Sequence, residues 1–252
     1  MHLLQKIYNS RKVLKQQLSN EWIVDDINEL SLEELKIMYE NSNDKAYLNS
    51  PCNITLQNKY IPSHKLHIIY YNFPELNRSG VKVNKTCCDK LTSMYKNDID
   101  DEEDKIFEKE DSLLVIINEP VSESMEKSVE SVYHAGQDTL TKSGLSTQIT
   151  GEMKENDFIM NQSYFRNIHM FHIDIITVNI LNHTLVPLHE PIRKQDEIDK
   201  ILQLTNSTEH QLPIILRTDN IAKLIRLCPG NICKINRNSQ KCGEYTYFRI
   251  CR

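Results

Sequence analysis

Apolar positions near the start of the chain recur every three or four residues. Leu3, Leu4, Ile7, Tyr8, Leu14 and Leu18, with Arg11 in the same series, predict an amphipathic helix. A second helix is marked at Ser31. Ser31 and Glu34 have the spacing of a capping box, in which the hydroxyl accepts a backbone N–H and the carboxylate reaches back, and Leu30 and Leu35 stand where a hydrophobic staple would lie. The pattern then changes. Leu66 to Tyr71 (LHIIYY) is a β-rich run closed by Asn72 and Pro74, and Leu113 to Ile117 (LLVII) is a continuous apolar strand of the buried kind. Between them VKVNKTCCDKLTSMY reads as a short extended piece leading into a helix. After them Met125, Val129 and Val132 return to helical spacing. SYFRNI is expected as a short helical piece and Asp174 to Ile180 as a last strand. Strand, helix, strand, helix in this order implies an α/β unit with some parallel pairing.

Two stretches break the periodicity and read as insertions, near 97–111 and 136–156. DIDDEEDKIFEKED, Asp98 to Asp111, is dense in like charge, which favours a solvated, extended loop over a carboxylate metal site. It has neither the spacing nor the glycine of a calcium-binding loop. Gly136 to Asn156 is polar and glycine-bearing and is expected to be mobile.

The last quarter has a different character. KQDEIDKILQL is amphipathic through Ile198, Ile201 and Leu202, and Gln211 to Pro213 ends that helix unit. Asp219 is placed to cap a short helix carrying Ile221, Ala222, Leu224 and Ile225. Cys228 to Asn231 (CPGN) is a turn, and NICKIN and EYTYFRI are two strands joined by a loop ending at Gly243. In the second strand Tyr245, Tyr247 and Arg249 share one face, and Thr246, Phe248 and Ile250 the other. The expected fold class is α+β: an N-terminal α/β domain over 1–180 and a small C-terminal α+β domain over 181–252 ending in a β-hairpin.

Composition adds one asymmetry. The 252 residues carry a formal net charge of −5, yet Leu181 to Arg252 holds 11 Lys/Arg against 7 Asp/Glu. The remainder is acidic, which fits two domains in different surroundings. Lys6 interrupts the first apolar run, and FHIDIITVNILN is too short and polar to span a bilayer, so an intracellular protein without membrane contact is expected. Seven cysteines in no disulfide or zinc-ribbon spacing read as reduced, packed thiols.

Candidate chemistry is sparse. His183 and His189 bracket a Leu-Val-Pro core in HTLVPLHEP, but six extended residues separate them by roughly 20 Å and Pro187 bars a shared helix face. Zinc-binding histidine pairs are spaced more tightly. His169 and His172 fit no ligand set and read as packing or surface residues. P-loop, dinucleotide-fold, nucleophile-elbow and zinc-protease signatures are all missing, so no cofactor, metal or small-molecule substrate is expected. A catalytic triad assembled from scattered residues would leave no such signature, so a standalone α/β hydrolase or nuclease remains the alternative.

The C-terminal blocks carry a resemblance. H-T-L-V-P-L-H, a helix, Q-L-P, D-x-x-A, G-x-x-x-K-I-x-R-x-S and G-E-Y-x-Y-x-R follow one another from His183 to Arg249. This order resembles the fifth-largest subunit shared by eukaryotic nuclear RNA polymerases, whose archaeal counterpart consists of this module alone. EWIVDDINELSLEELKIMY, LHIIYYNFPE and GVKVNKT resemble the N-terminal part of the eukaryotic form more loosely. Asn220 and Arg226 depart from the pattern, standing where the family has a proline and a glycine. The Asn-, Ile- and Lys-rich composition suggests a large cytoplasmic DNA virus, acting in host cytoplasm and virion, ahead of a fast-evolving eukaryote with a nuclear polymerase.

The resemblance implies a non-catalytic polymerase subunit in transcription. The C-terminal domain would dock on the largest subunit and aid complex assembly. The N-terminal domain would project as a jaw near downstream DNA, touching it at most weakly, since that half is acidic. An adaptor that binds polymerase but acts outside RNA synthesis is a further alternative. The implied partner-binding residues are His183, Leu185, Val186, Pro187, His189, Gln211, Leu212, Pro213, Asp219, Ala222, Gly230, Lys234, Ile235, Arg237, Gly243, Glu244, Tyr245, Tyr247 and Arg249. Leu185 and Val186 are expected to pack, Pro187 to set a bend, and the two histidines to hydrogen-bond or meet the partner.

Overall fold

The computed structural model describes residues 3–27, 30–41, 51–71, 86–96, 106–239, 241 and 243–252. Two helices open the chain, α1 (Leu3–Leu18) and α2 (Leu32–Asn41). The apolar stripe of α1 is buried through Leu4, Ile7, Leu14 and Leu18. Ser31 and Glu34 form the capping box at the start of α2: the Ser31 N–H donates to the Glu34 carboxylate at 2.7 Å and the Glu34 N–H to Ser31 Oγ at 3.2 Å.

The first sheet holds β1 (Ile54–Gln57), β2 (Lys65–Tyr70), β3 (Ser112–Ile117) and β4 (Ile168–His172) in that order. β1 runs antiparallel to β2, and β2, β3 and β4 are mutually parallel. Between the parallel strands lie α3 (Thr86–Ser93), then α4 (Glu123–Ser143) and α5 (Thr147–Glu155). All six residues of β3 are buried, as its unbroken apolar run requires for a central parallel strand.

Three expectations are corrected. Gly136 to Asn156 is not a mobile loop; it forms the second half of α4 and the whole of α5, burying Leu140, Ile149 and Met153. Gly136 is small because the Arg166 side chain crosses α4 there, and a Cβ would lie 2.7 Å from Arg166 Cδ. Asp174 to Ile180 is not a strand. Ile173–Ile176 and Ile180–Asn182 are 3-10 turns, and the last strand of the sheet is Ile168–His172. Alternation is no guide there, because the strand is covered on both faces. In SYFRNI the short helical piece is the end of the 3-10 turn Gln162–Tyr164, and Ile168 begins β4. The acidic stretch is described only from Ile106 onward, and that part is not a solvated loop, since Phe107, Glu110 and Asp111 are buried. The extended piece foreseen before α3 falls outside the described residues.

The second sheet has the order β5 (Leu188–Ile192), β7 (Ile232–Ser239), β8 (Gly243–Cys251), β6 (Ile214–Ile215). On one face α6 (Gln195–Thr205) lays Ile198 against Ile232 and Ile250. On the other, α7 (Asn220–Leu224), capped by the Asp219 carboxylate on the Ile221 N–H, packs Ala222 against Cys233, Ile235 and Cys251. Leu224 and Cys228 belong to the core of the first sheet, so hydrophobic packing is continuous across the two sheets. Among the described residues no helix is long and apolar enough to cross a membrane.

Candidate functional site

Two surfaces of the C-terminal sheet stand out in the structure. One is the seam with the first sheet. Arg193, Arg217, Lys223 and Arg226 are all buried there, and each cation stands over an aromatic ring from residues 22–171. Arg193 lies 4.5 Å from the Tyr164 centroid, Arg217 4.4 Å from Tyr133, Arg226 5.0 Å from Trp22 and Lys223 6.0 Å from Phe171. Two carboxylates answer them. Glu21 accepts Arg193 Nε at 2.9 Å and the Tyr164 hydroxyl at 3.0 Å, and Glu126 pairs with Lys223. Backbone carbonyls supply the rest: Arg193 donates to Ile225 O and Arg226 O, and Arg217 to Ile168 O at 2.6 Å.

The seam shifts titration in both directions. Burial alone would raise the Glu21 carboxyl, but the charge and hydrogen bonds of Arg193 hold it below the usual carboxylate value. His64, beneath Trp22 and Tyr164, is held neutral well below 6.5 by burial and by the positive charge of Arg226. His169 is held neutral in the same way by burial and Arg217.

The other surface is the far end of the sheet. Leu188 pairs with Asn236 and Asn236 with Thr246, so the His183–Pro187 turn and the β7–β8 hairpin tip lie at the same end. This brings His183, Leu185, Val186, Pro187 and His189 to the end that also presents Arg237, Gly243, Glu244, Tyr245 and Tyr247. The His183 ring accepts the Leu185 N–H at 3.2 Å, and the His189 ring donates to Pro187 O at 2.6 Å, so both histidines shape the turn. Leu185 corrects an expectation: it is 84% exposed and does not pack within the chain. Val186 and Pro187 are half-buried.

The remaining candidates separate from this group. Gln211, Leu212, Pro213, Asp219, Ala222 and Gly230 lie toward the opposite end, where β6 pairs with Ile250 and Cys251 and the Gly230 N–H bonds Cys251 O. Leu212, Ala222 and Ile235 are buried, Gln211 completes a capping box with Thr208, and Gly230 holds a left-handed φ of +88°. Leu212, Ala222 and Gly230 help build the module, whereas Gln211, Pro213 and Asp219 are exposed at its surface. Lys234 is paired with Glu190 at 3.0 Å, and Arg249 lies 5.7 Å from the Tyr247 ring, which stacks on Tyr245.

Comparison with known proteins gives one consistent result. The family described as "RNA polymerase Rpb5, C-terminal domain" matches residues 178–251. A Methanococcus maripaludis protein named "DNA-directed RNA polymerase subunit Rpo5" is 37% identical over 73 residues, 29% of this chain and 92% of the relative. The protein of that name from Archaeoglobus fulgidus is 41% identical over 69 residues, 27% of this chain and 90% of the relative. The chain belongs to the Rpb5/Rpo5 family of RNA polymerase subunits. A Dictyostelium discoideum relative, "DNA-directed RNA polymerases I, II, and III subunit rpabc1", is 36% identical over 76 residues, 30% of this chain and 38% of its own length.

The matched span 178–251 contains both the far-end motifs and the four seam cations. None of Arg193, Arg217, Lys223 and Arg226 was singled out from the sequence as a partner-binding residue. Arg226 alone left a trace there, as a departure from the Rpb5 pattern where glycine is usual. It keeps the left-handed backbone of a glycine, φ +57°, and sends its side chain onto Trp22. Trp22, Tyr133, Tyr164 and Phe171 lie far from these cations in sequence, so only tertiary placement reveals the matching.

The N-terminal sheet also holds a hydrogen-bonded chain from Thr55 Oγ1 to His67 Nδ1 at 3.0 Å and from His67 Nε2 to Asp111 Oδ2 at 2.9 Å. The order resembles a charge relay, but Asp111 also accepts the Lys65 and Glu108 N–H groups and so ties the 108–111 turn to β2. Among the described residues, no three His, Cys, Asp or Glu side chains gather as a metal site requires. Cys228, Cys233 and Cys251 are buried without disulfides, and burial pushes their thiols up to about 11, 12 and 12.

Proposed function

We propose that this protein is a non-catalytic subunit of a DNA-directed RNA polymerase that docks on the largest subunit through its C-terminal domain, residues 181–252. The observation that carries the reading is the family match over 178–251, together with motif side chains left exposed at the far end of that domain. An 84% exposed leucine inside a family motif is what a docking surface offers before its partner arrives. The N-terminal domain, residues 1–180, serves as the jaw beside downstream DNA. Its orientation is set by the four cation–aromatic pairs of the seam, so anchor and jaw move together. Its acidic balance keeps any DNA contact weak and only shallowly salt-dependent. The Asn-, Ile- and Lys-rich composition supports a viral source, with action in host cytoplasm and virion.

Affinity purification of the full chain from its native source tests the reading. The expected result is recovery of the largest subunit and its partners, lost on replacing Leu185 and Tyr245 by aspartate. Recovery of the chain without polymerase subunits overturns it.

A further inference from the structure

The C-terminal sheet ends on a long strand that is half covered. β8 runs from Gly243 to Cys251 and pairs with β7 along its whole length, Ser239↔Gly243 to Ile232↔Ile250. Among the described residues its other edge is paired only at Ile250 and Cys251, where the two-residue β6 lies alongside. The Ile250 N–H donates outward to Pro213 O, and the Arg252 N–H to Ile215 O. Backbone groups of a strand alternate in direction, so the N–H and C=O groups of Phe248, Thr246 and Glu244 also point outward. Those of Arg249, Tyr247 and Tyr245 point to β7. Among the described residues no backbone group pairs with the outward set.

Soluble proteins rarely leave such an edge bare. They shorten it, charge it, bulge it or place proline on it. Here residues 245–248 read Tyr-Thr-Tyr-Phe, a β-favouring run without proline, next to the exposed Leu216 and Ile214. The flanking charge is mostly positive, from Arg237, Lys241, Arg249 and Arg252 against Glu244. The Nε of Arg249 is buried without a hydrogen-bond partner, and its Nη1 reaches only Ile214 O at 3.5 Å.

We infer that β8 is completed in the assembled polymerase by an extended, acidic segment of the largest subunit, added as a strand along Glu244, Thr246 and Phe248. Main-chain hydrogen bonds to these three residues supply affinity, a carboxylate of the segment meets Arg249, and an apolar residue covers Phe248. This inference rests on the docking reading above and specifies its chemistry. A second copy of this chain pairing edge to edge is the competing occupant, and the position of the edge beside the family motifs favours the polymerase.

The test is proline at an outward position. Thr246→Pro removes an N–H that β7 does not use and, besides it, only the exposed hydroxyl bond from Thr246 Oγ1 to Asn236 Oδ1, so the hairpin survives while strand addition is barred. Tyr247→Pro removes an inward N–H and should unfold the hairpin. With the full chain, Thr246→Pro is expected to keep its thermal midpoint and lose about tenfold or more in incorporation into the polymerase. Amide exchange of the wild-type complex is expected to show Glu244, Thr246 and Phe248 slowed about tenfold or more relative to the free chain. Normal incorporation of Thr246→Pro with no protection of those amides overturns the strand-addition proposal while docking stands. A wild-type dimer abolished by Thr246→Pro with incorporation unchanged assigns the edge to self-association and overturns it as well. A wild-type chain that stays off the polymerase overturns docking and strand addition together.

Discussion

The guanidinium of Arg226 lies over the indole of Trp22, 5.0 Å from its centroid, at the centre of the seam between the two sheets. Both side chains are buried, and none of the three guanidinium nitrogens of Arg226 has a hydrogen-bond partner among the described residues. The ring face is therefore the main compensation for a desolvated cation, a contact worth about 2 kcal/mol in such surroundings. Replacing Trp22 by alanine removes that compensation and a fully buried ring. The expected loss is about 3–5 kcal/mol in urea unfolding. Trp22→Phe, which keeps a face for the cation, should recover about half of it.

Glu21 is the seam's most connected carboxylate, accepting both Arg193 and the Tyr164 hydroxyl. Glu21→Gln leaves Arg193 buried without its counter-charge. Removing one partner of a buried pair is costlier than the pair is worth, so about 3 kcal/mol or more of stability should be lost. A Glu21→Gln chain as stable as wild type in chemical denaturation would show that backbone carbonyls alone satisfy Arg193.

Gly136 sits inside α4, where alanine is ordinarily favoured by about 1 kcal/mol. The Arg166 side chain already occupies the space a Cβ needs. Gly136→Ala is therefore expected to destabilise by about 1–3 kcal/mol despite its better helix propensity. Gly136→Ala combined with Arg166→Ala should reverse the sign of that local effect, which a double-mutant cycle reads directly.

His64 and His169 are both held neutral in the folded chain, well below 6.5, by burial and nearby cations. The unfolded chain takes up protons on these rings near pH 6.5, and the folded chain does not. Stability is thus fully present above about pH 6.5 and falls as pH drops below it, by up to about 1.4 kcal/mol per pH unit for each histidine. Unfolding free energies measured from about pH 7.5 down to 5 should show this slope, reduced in His169→Leu. The same slope in wild type and His169→Leu would remove this histidine from the account.

Leu185 tests docking separately from folding. It is so exposed that Leu185→Asp should change stability by less than about 0.5 kcal/mol while weakening association with the polymerase. A loss of both would mean that the residue packs within the chain.

Much of the architecture was legible because it is local. The stripe of α1, the Ser31–Glu34 box, the β3 run, the Asp219 cap and the face alternation of β8 all follow from spacing within one element, where backbone geometry places the side chains. The ordered blocks from His183 to Arg249 also carried the family. What failed was the reading of polar stretches as loops and of apolar ones as strands. The polar surface of α4 and α5 hides a thin buried stripe at Leu140, Ile149 and Met153, and β4 is too enclosed to alternate. What only the tertiary structure decided was pairing between distant residues. Arg226 meets Trp22, Lys223 meets Glu126, and among the described residues the outward groups of Glu244, Thr246 and Phe248 lack a strand, because the neighbouring β6 is only two residues long. Spacing along a chain specifies which face a residue occupies. What that face touches depends on how whole elements stack, and that stacking made a set of basic residues into a seam.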